Sequence, residues 1–226
     1  MVKFGNVRHK PSTILKCIRL YLSYPLSYRE IEEIILGEGI KVDHSTINLW
    51  IIRHTLKILK RFQRTKKCIG SSWRMDETYV KVCKVWYFLY RAVDKEGLTI
   101  DFYFSKRRNK NSAYKFLKKA VTNNGTPEKI NIDKSGANTA GIKHYNQKHG
   151  TDIEIRQCKY LNNIVEQSHR KIKRKTKCLG SFKNFAAAQI TLAGIEMMNM
   201  LRKGQAYTGG LFAFNFIDEF YELARL

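Results

Sequence analysis

Trp73-Arg74-Met75-Asp76-Glu77-Thr78-Tyr79-Val80-Lys81-Val82 is the stretch whose reading decides the fold. Upstream of Gly70-Ser71-Ser72 the apolar residues recur at helical spacing; from Trp73 the period drops to two, the period of a strand. Asp76, Thr78, Val80 and Val82 then share one face. A carboxylate in the middle of such a strand is costly to bury unless something compensates its charge. Asp76 is therefore the residue from which the search for a site proceeds.

Downstream, residues 85–93 are almost continuously β-branched or aromatic, which predicts a buried strand. Asp94-Lys95-Glu96-Gly97 is a turn, and 98–104 alternates with Leu98, Ile100, Phe102 and Phe104 inward. Three strands on short connections make an antiparallel meander. The pattern then becomes α/β. A basic loop, 106–110, leads to a helix at 111–123 and a strand at Lys129–Ile132, with Asp133 at its carboxyl end. Open α/β sheets meet their ligands at such strand ends. A helix at 139–148 and a strand at 153–157 follow. An apolar helix at 184–200 is expected to pack on the sheet, and the tail 204–226 to pack on the core.

A third carboxylate heads the run Tyr160-Leu-Asn-Asn-Ile-Val-Glu166-Gln-Ser-His-Arg170-Lys-Ile-Lys173-Arg-Lys175, a helix with Glu166 as its sole acidic residue. Helical spacing puts Arg170, Lys173 and Lys177 on the face of Glu166. Alone, this is a solvated helix with one Glu–Arg pair. Taken with Asp76 on a strand and Asp133 at a strand end, it becomes a set of carboxylates suited to a hard divalent cation, Mg2+ or Mn2+. A pair of such ions serves in-line displacement at phosphorus, and the basic flank suits a polyanion. The other acids have plainer readings. Glu77 faces opposite Asp76 as a salt-bridge partner, Asp94 and Asp101 are turn and surface residues, Asp152 and Glu154 flank a strand, and Asp43 is a helix cap.

Upstream lies an all-α module. A helix over 12–24 is followed by the capping box Ser27-Tyr28-Arg29-Glu30, which opens a helix with Ile31, Ile34 and Ile35 inward. Asp43 or Ser45 caps the next, with Ile47, Trp50 and Ile51 inward. Two short helices joined by a Gly-containing turn predict a helix-turn-helix, with His44, Ser45, Thr46 and Asn48 placed to meet base edges. Residues 57–67 hold six basic side chains, and Lys60, Arg61 and Arg64 are read as phosphate contacts.

Composition agrees. Forty-two Lys and Arg against 19 Asp and Glu leave a net charge of +23, whose self-repulsion a polyanion partner relieves. The five cysteines are scattered without a C-x-x-C pair, against a disulfide framework or zinc ribbon. Lys3, Arg8 and Lys10 interrupt any apolar leader, and the uncharged stretches are too short to span a bilayer. A soluble, cytoplasmic protein is expected.

Several runs resemble the DDE transposases of the IS6 family of bacterial insertion sequences: residues 26–33 (LSYREIEE), 42–47 (VDHSTI), 73–79 (WRMDETY), 86–94 (WYFLYRAVD), Asp133-Lys134 and 159–167 (KYLNNIVEQ). They fall within residues 4–203. The resemblance implies a retroviral-integrase-like, RNase H-like catalytic core over 70–203, behind a helix-turn-helix domain over 10–65. It implies Asp76, Asp133 and Glu166 as a metal-binding catalytic triad, with Lys173 as the basic residue seven after the Glu. It further implies double-stranded DNA as substrate, both terminal inverted repeats and target. A homo-oligomer working on the bacterial nucleoid belongs to the same expectation. Two features depart from the pattern. Asp133 and Glu166 are 33 positions apart, one fewer than the family spacing, and Ser135-Gly136 follows Asp133-Lys134 where Ala-Pro is usual.

Overall fold

The computed structural model describes residues 9–158, 160–206 and 215–225. Lys3, Arg8, Lys159 and residues 207–214 of the tail lie outside the described residues. The chain divides into two compact units, Met1–Lys67 with Arg174–Leu226, and Cys68–Lys173.

The first unit opens with α1 (Pro11–Ser23) and α2 (Tyr28–Leu36). The capping box at the start of α2 is formed: the Glu30 amide donates to Ser27 Oγ, and the Ser27 amide donates to the Glu30 carboxylate at 2.6 Å. α3 (His44–Thr65) starts on Asp43, whose carboxylate accepts from the Ser45 amide at 2.8 Å. It is one helix of 22 residues, so most of the basic run forms its last turns. Ile31, Ile35, Ile47, Trp50 and Ile51 are buried as expected, but Ile34 is exposed, because nine-residue α2 turns only a narrow stripe inward.

The second unit is built on a five-stranded sheet. β1 (Ser72–Val82), β2 (Val85–Asp94) and β3 (Thr99–Ser105) form the antiparallel meander. β4 (Lys129–Ile132) and β5 (Glu154–Gln157) add in parallel, giving the order β3-β2-β1-β4-β5. α4 (Lys110–Asn124) and α5 (Gly136–His149) pack on each other, and with Trp73, Met75, Tyr90, Ala92, Ile130 and Ile132 of the sheet they form its core. Gly141 permits their close approach: a Cβ there would sit 2.6 Å from that of Ala113. This is the mixed-sheet α/β architecture that the RNase H-like reading requires. Two strand expectations are corrected. β3 is buried on both faces, with Thr99, Asp101 and Ser105 covered as well as Ile100, Phe102 and Phe104. Val85 and Trp86, beside the turn that closes the β1–β2 hairpin, are exposed rather than buried.

A short 3-10 turn (Tyr160–Asn162) leads into α6 (Asn163–Leu179), whose last residues from Arg174 belong to the first unit. α7 (Phe185–Arg202) and α8 (Phe216–Arg225) complete that unit. Within the first unit α7 packs on α1, α3 and α8, where 184–200 was expected to pack on the sheet. Thr191 through Leu201 are continuously buried, so α7 is covered all round, as a central helix is and a one-sided cover of a sheet is not. The second unit runs from Cys68 to Lys173.

Candidate functional site

β1 and β4 lie side by side in parallel with Arg74 opposite Asn131. Carried two residues further, that register brings Asp76 level with Asp133 and on the same face. On the other side of β1, Asp76 stands opposite Arg91 of β2, which is fully buried. The start of α6 is tied to this pair of strands. Asn162 Nδ2 donates to the Met75 carbonyl at 3.3 Å, and Asn131 Nδ2 donates to Asn162 Oδ1 at 2.7 Å and to the Cys158 carbonyl at 2.8 Å. From there Val165, His169 and Ile172 form the buried stripe of α6, while Glu166, Arg170, Lys173 and Lys177 are exposed.

Asp76 is held well above the ordinary carboxylate range, at about 7. Burial is the main cause, and repulsion from Glu77, Asp133 and Glu166 adds to it against an opposing hydrogen bond from the Glu77 amide. Asp133 and Glu166 both repel the Asp76 carboxylate. His169 is 2 % exposed, with Nδ1 3.7 Å from Asp76 Oδ2. Burial first, then the charges of Arg91 and Lys173, push its pKa down to about 3, so it stays neutral and does not balance Asp76. Asp133 Oδ1 is buried and has no hydrogen-bond partner among the described residues. Crowded negative charge and an unsatisfied carboxylate oxygen are what a hard divalent cation satisfies, so the residues fit the group. The ligand atoms of the trio do not all lie within 4.8 Å of one another; among the described residues Glu32, Asp43 and His44 do. That second cluster is already employed: Glu32 accepts from the His44 amide at 3.1 Å and lies 2.9 Å from its Nδ1, tying α2 to α3.

Three other acids have partners within the fold. Glu77, buried on the opposite face, pairs with Arg108 and accepts from Asn138 Nδ2 at 2.8 Å. Asp94 is a turn residue, accepting from the Leu98 amide at 2.8 Å, yet it is buried. Asp101 is not a surface residue: Lys119 Nζ at 2.7 Å and Asn123 Nδ2 at 2.8 Å reach it from α4 and compensate its burial.

Of the residues expected to meet DNA, Lys60, Arg64 and Ser45 are exposed, and Thr46 and Asn48 half-buried. His44 is engaged by Glu32. Arg61 is turned inward, donating to the carbonyls of Leu223 at 3.3 Å and Ala224 at 3.4 Å near the end of α8. That correction has a simple cause: the last carbonyls of a helix lack intrahelical partners and attract a cation. His169, Asn131 and Asn162 were not singled out from the sequence. A histidine between Val165 and Ile172 in the buried stripe was the available signal.

A family model described as a DDE domain matches residues 70–205. The transposase for insertion sequence element IS257 in transposon Tn4003 of Staphylococcus aureus is 36% identical over 205 residues, 88% of each chain. The transposase for insertion sequence-like element IS431mec of S. aureus strain Mu50 is 35% identical over the same share. Among solved structures, the HTLV-2 integrase catalytic core domain in complex with magnesium aligns with a TM-score of 0.46 at 19% identity, covering 59% of this chain and 88% of that one.

Proposed function

The chain belongs to the IS6 family of DDE insertion-sequence transposases, and from that premise we propose that Asp76, Asp133 and Glu166 are its catalytic triad. It is a polynucleotidyl transferase, a DNA transposase. The observation that supports the triad best is Asp76 itself, a mid-strand carboxylate level with Asp133 and repelled by both Asp133 and Glu166. The substrates in this reading are double-stranded terminal inverted repeats and target DNA, bound by a homo-oligomer in the bacterial cytoplasm. Among the described residues no helix is long and apolar enough to cross a membrane.

A pair of Mg2+ or Mn2+ ions supplies Lewis acidity to the attacking and leaving oxygens at phosphorus when bound. The protein's own residues do the rest. Asp76 and Asp133 present carboxylates from adjacent parallel strands, and Glu166 presents its own from the first turn of α6. Asn162 and Asn131 hold that turn against the strands, so the three keep a common frame. Arg170 and Lys173 follow Glu166 by roughly 6 and 10 Å along the helix and grip phosphates flanking the reacting one. Lys177, Lys60 and Arg64 add sequence-independent affinity, and Ser45, Thr46 and Asn48 at the start of α3 read the repeat.

The test is purified protein with terminal-repeat DNA and Mg2+ or Mn2+, scored separately for cleavage and strand transfer. Both activities are expected. Binding with no metal-dependent cleavage would make the protein a regulator, and cleavage without joining would make it a nuclease.

A further inference from the structure

The end of the β1–β2 hairpin carries rings that neither the fold nor the triad uses. Register pairs Tyr79 with Phe88 and Lys81 with Trp86 on the face whose earlier members, Met75 and Glu77, are buried. Phe88 still packs against the core, but beyond it cover ends: Tyr79 is 51% and Trp86 55% exposed. The arrangement is ordered. Tyr79 meets Trp86 edge-on at 6.2 Å and tilts against Phe88 at 5.3 Å, and Lys81 Nζ stands 5.6 Å from the Trp86 ring centre. A two-residue turn, Cys83 and Lys84, closes the hairpin with both residues in the left-handed region, at φ 48° and 65°.

We propose that this hairpin end is a stacking platform for an unpaired DNA strand, with Trp86 as the stacking ring, Tyr79 as its support and Lys81 as a phosphate partner. A cross-strand ring pair explains why Tyr79 touches Phe88, but not why the largest ring of the hairpin is left half in water. Charge selects the occupant. Phe88 pairs with Ser105, after which the chain runs on as exposed Lys106 and Arg107, with Arg108 held by Glu77, so basic side chains follow the strand beside the rings. A second copy seated symmetrically would press Lys81 and Lys84 against their own counterparts in a protein of net charge +23. A single strand offers flat π-faces and phosphates together, the combination that sequence-tolerant single-strand binding uses. Tyr79 lies three residues beyond Asp76 and on the opposite face of the sheet, so the platform is set apart from the carboxylates and would hold a strand passing the hairpin end. This rests on the DNA-processing reading above.

Trp50 and Trp73 are 3% and 2% exposed, so Trp86 is the tryptophan whose fluorescence a ligand in solution can reach. The full chain, in metal-free buffer so that DNA stays intact, is titrated with oligo-dT, with a blunt duplex and with the same duplex carrying a forked end. Oligo-dT should quench the fluorescence, and the fork should bind more tightly than the blunt duplex. Trp86→Ala should lose that preference by about five- to tenfold with blunt-duplex affinity unchanged, and Trp86→Phe should keep most of it. Absence of quenching, or an undiminished fork preference in Trp86→Ala, overturns the platform. So does a change in sedimentation of Trp86→Ala with fork preference intact, which would make the hairpin a protein contact. Failure of the parent to bind blunt duplex counts against the function above, whereas quenching by oligo-dT tests the platform separately.

Discussion

His169 Nδ1 lies 3.7 Å from Asp76 Oδ2, and His169 stands one helical turn after Glu166. One turn of α6 therefore carries Glu166 and a neutral imidazole that faces the Asp76 carboxylate. In the proposed site His169 would position Asp76 by contact, since 3.7 Å is beyond a hydrogen bond. His169→Ala should shift the Mg2+ or Mn2+ midpoint, read as metal-induced thermal stabilisation, by roughly 10–100-fold, with terminal-repeat binding unchanged. His169→Asn, whose amide can stand near Nδ1, should recover part of the shift. Equal metal midpoints in parent and Ala variant would reduce His169 to packing.

Asp76→Asn, Asp133→Asn and Glu166→Gln should each abolish metal-dependent cleavage and joining and leave repeat binding nearly intact. Stability gives a second reading of Asp76. Its pKa is raised from 3.8 to about 7, so the folded state holds the extra proton and stability falls as pH rises through that window. At neutral pH, without metal, Asp76→Asn should raise stability, by at most about 4 kcal/mol. A loss of stability instead would mean that Asp76 serves a structural ion pair.

Neutralising Lys60, Arg64, Lys173 and Lys177 should lower the salt dependence of DNA binding, with the slope falling by about 0.9 per phosphate contact removed. Arg61→Ala should differ. It should lower urea stability by about 1 kcal/mol through the abandoned α8 carbonyls and leave the slope alone. A slope that falls with Arg61 and not with Lys60 would reverse these roles.

A fragment ending near residue 65 should not fold, since α3 would lose the cover of α7. The approach of these helices depends on Gly194, where a Cβ would meet Leu22 at 2.6 Å and Thr55 Cγ2 at 2.7 Å. Gly194→Ala should destabilise the chain by about 1–3 kcal/mol. A cooperative melt from the short fragment would show that α7 is dispensable to it.

Lys175, 3% exposed, donates to the carbonyls of Tyr24 and Leu26 and sits 3.7 Å from the Tyr21 ring centre. Burial pulls its pKa from 10.5 to about 7. Between those values the unfolded chain holds the proton and the folded chain does not, so this group makes stability rise with pH across that window. Urea unfolding of the parent should gain up to about 1.4 kcal/mol per pH unit relative to Lys175→Met between pH 7 and 10. Parallel curves for the two proteins would remove Lys175 as the cause.

Local chemistry was readable from the chain alone. The Ser27–Glu30 box, the Asp43 cap, the two-residue period through Asp76 and the strand end at Asp133 each depend on residues a few positions apart, and each is found. The charge excess and the exposed basic face of α6 needed only composition and helical spacing. Tertiary structure decided what pairs across long separations. The β1–β4 register sets Asp76 level with Asp133, and Asn131, Asn162 and the Met75 carbonyl together place the helix that carries Glu166. A histidine in a polar helix, an aspartate after a turn and an arginine in a basic run are each chemically ambiguous in sequence. His169, Asp101 and Arg61 acquired their roles from Asp76, Lys119 and the end of α8, because a polar side chain taken from water is defined by whichever partner replaces it.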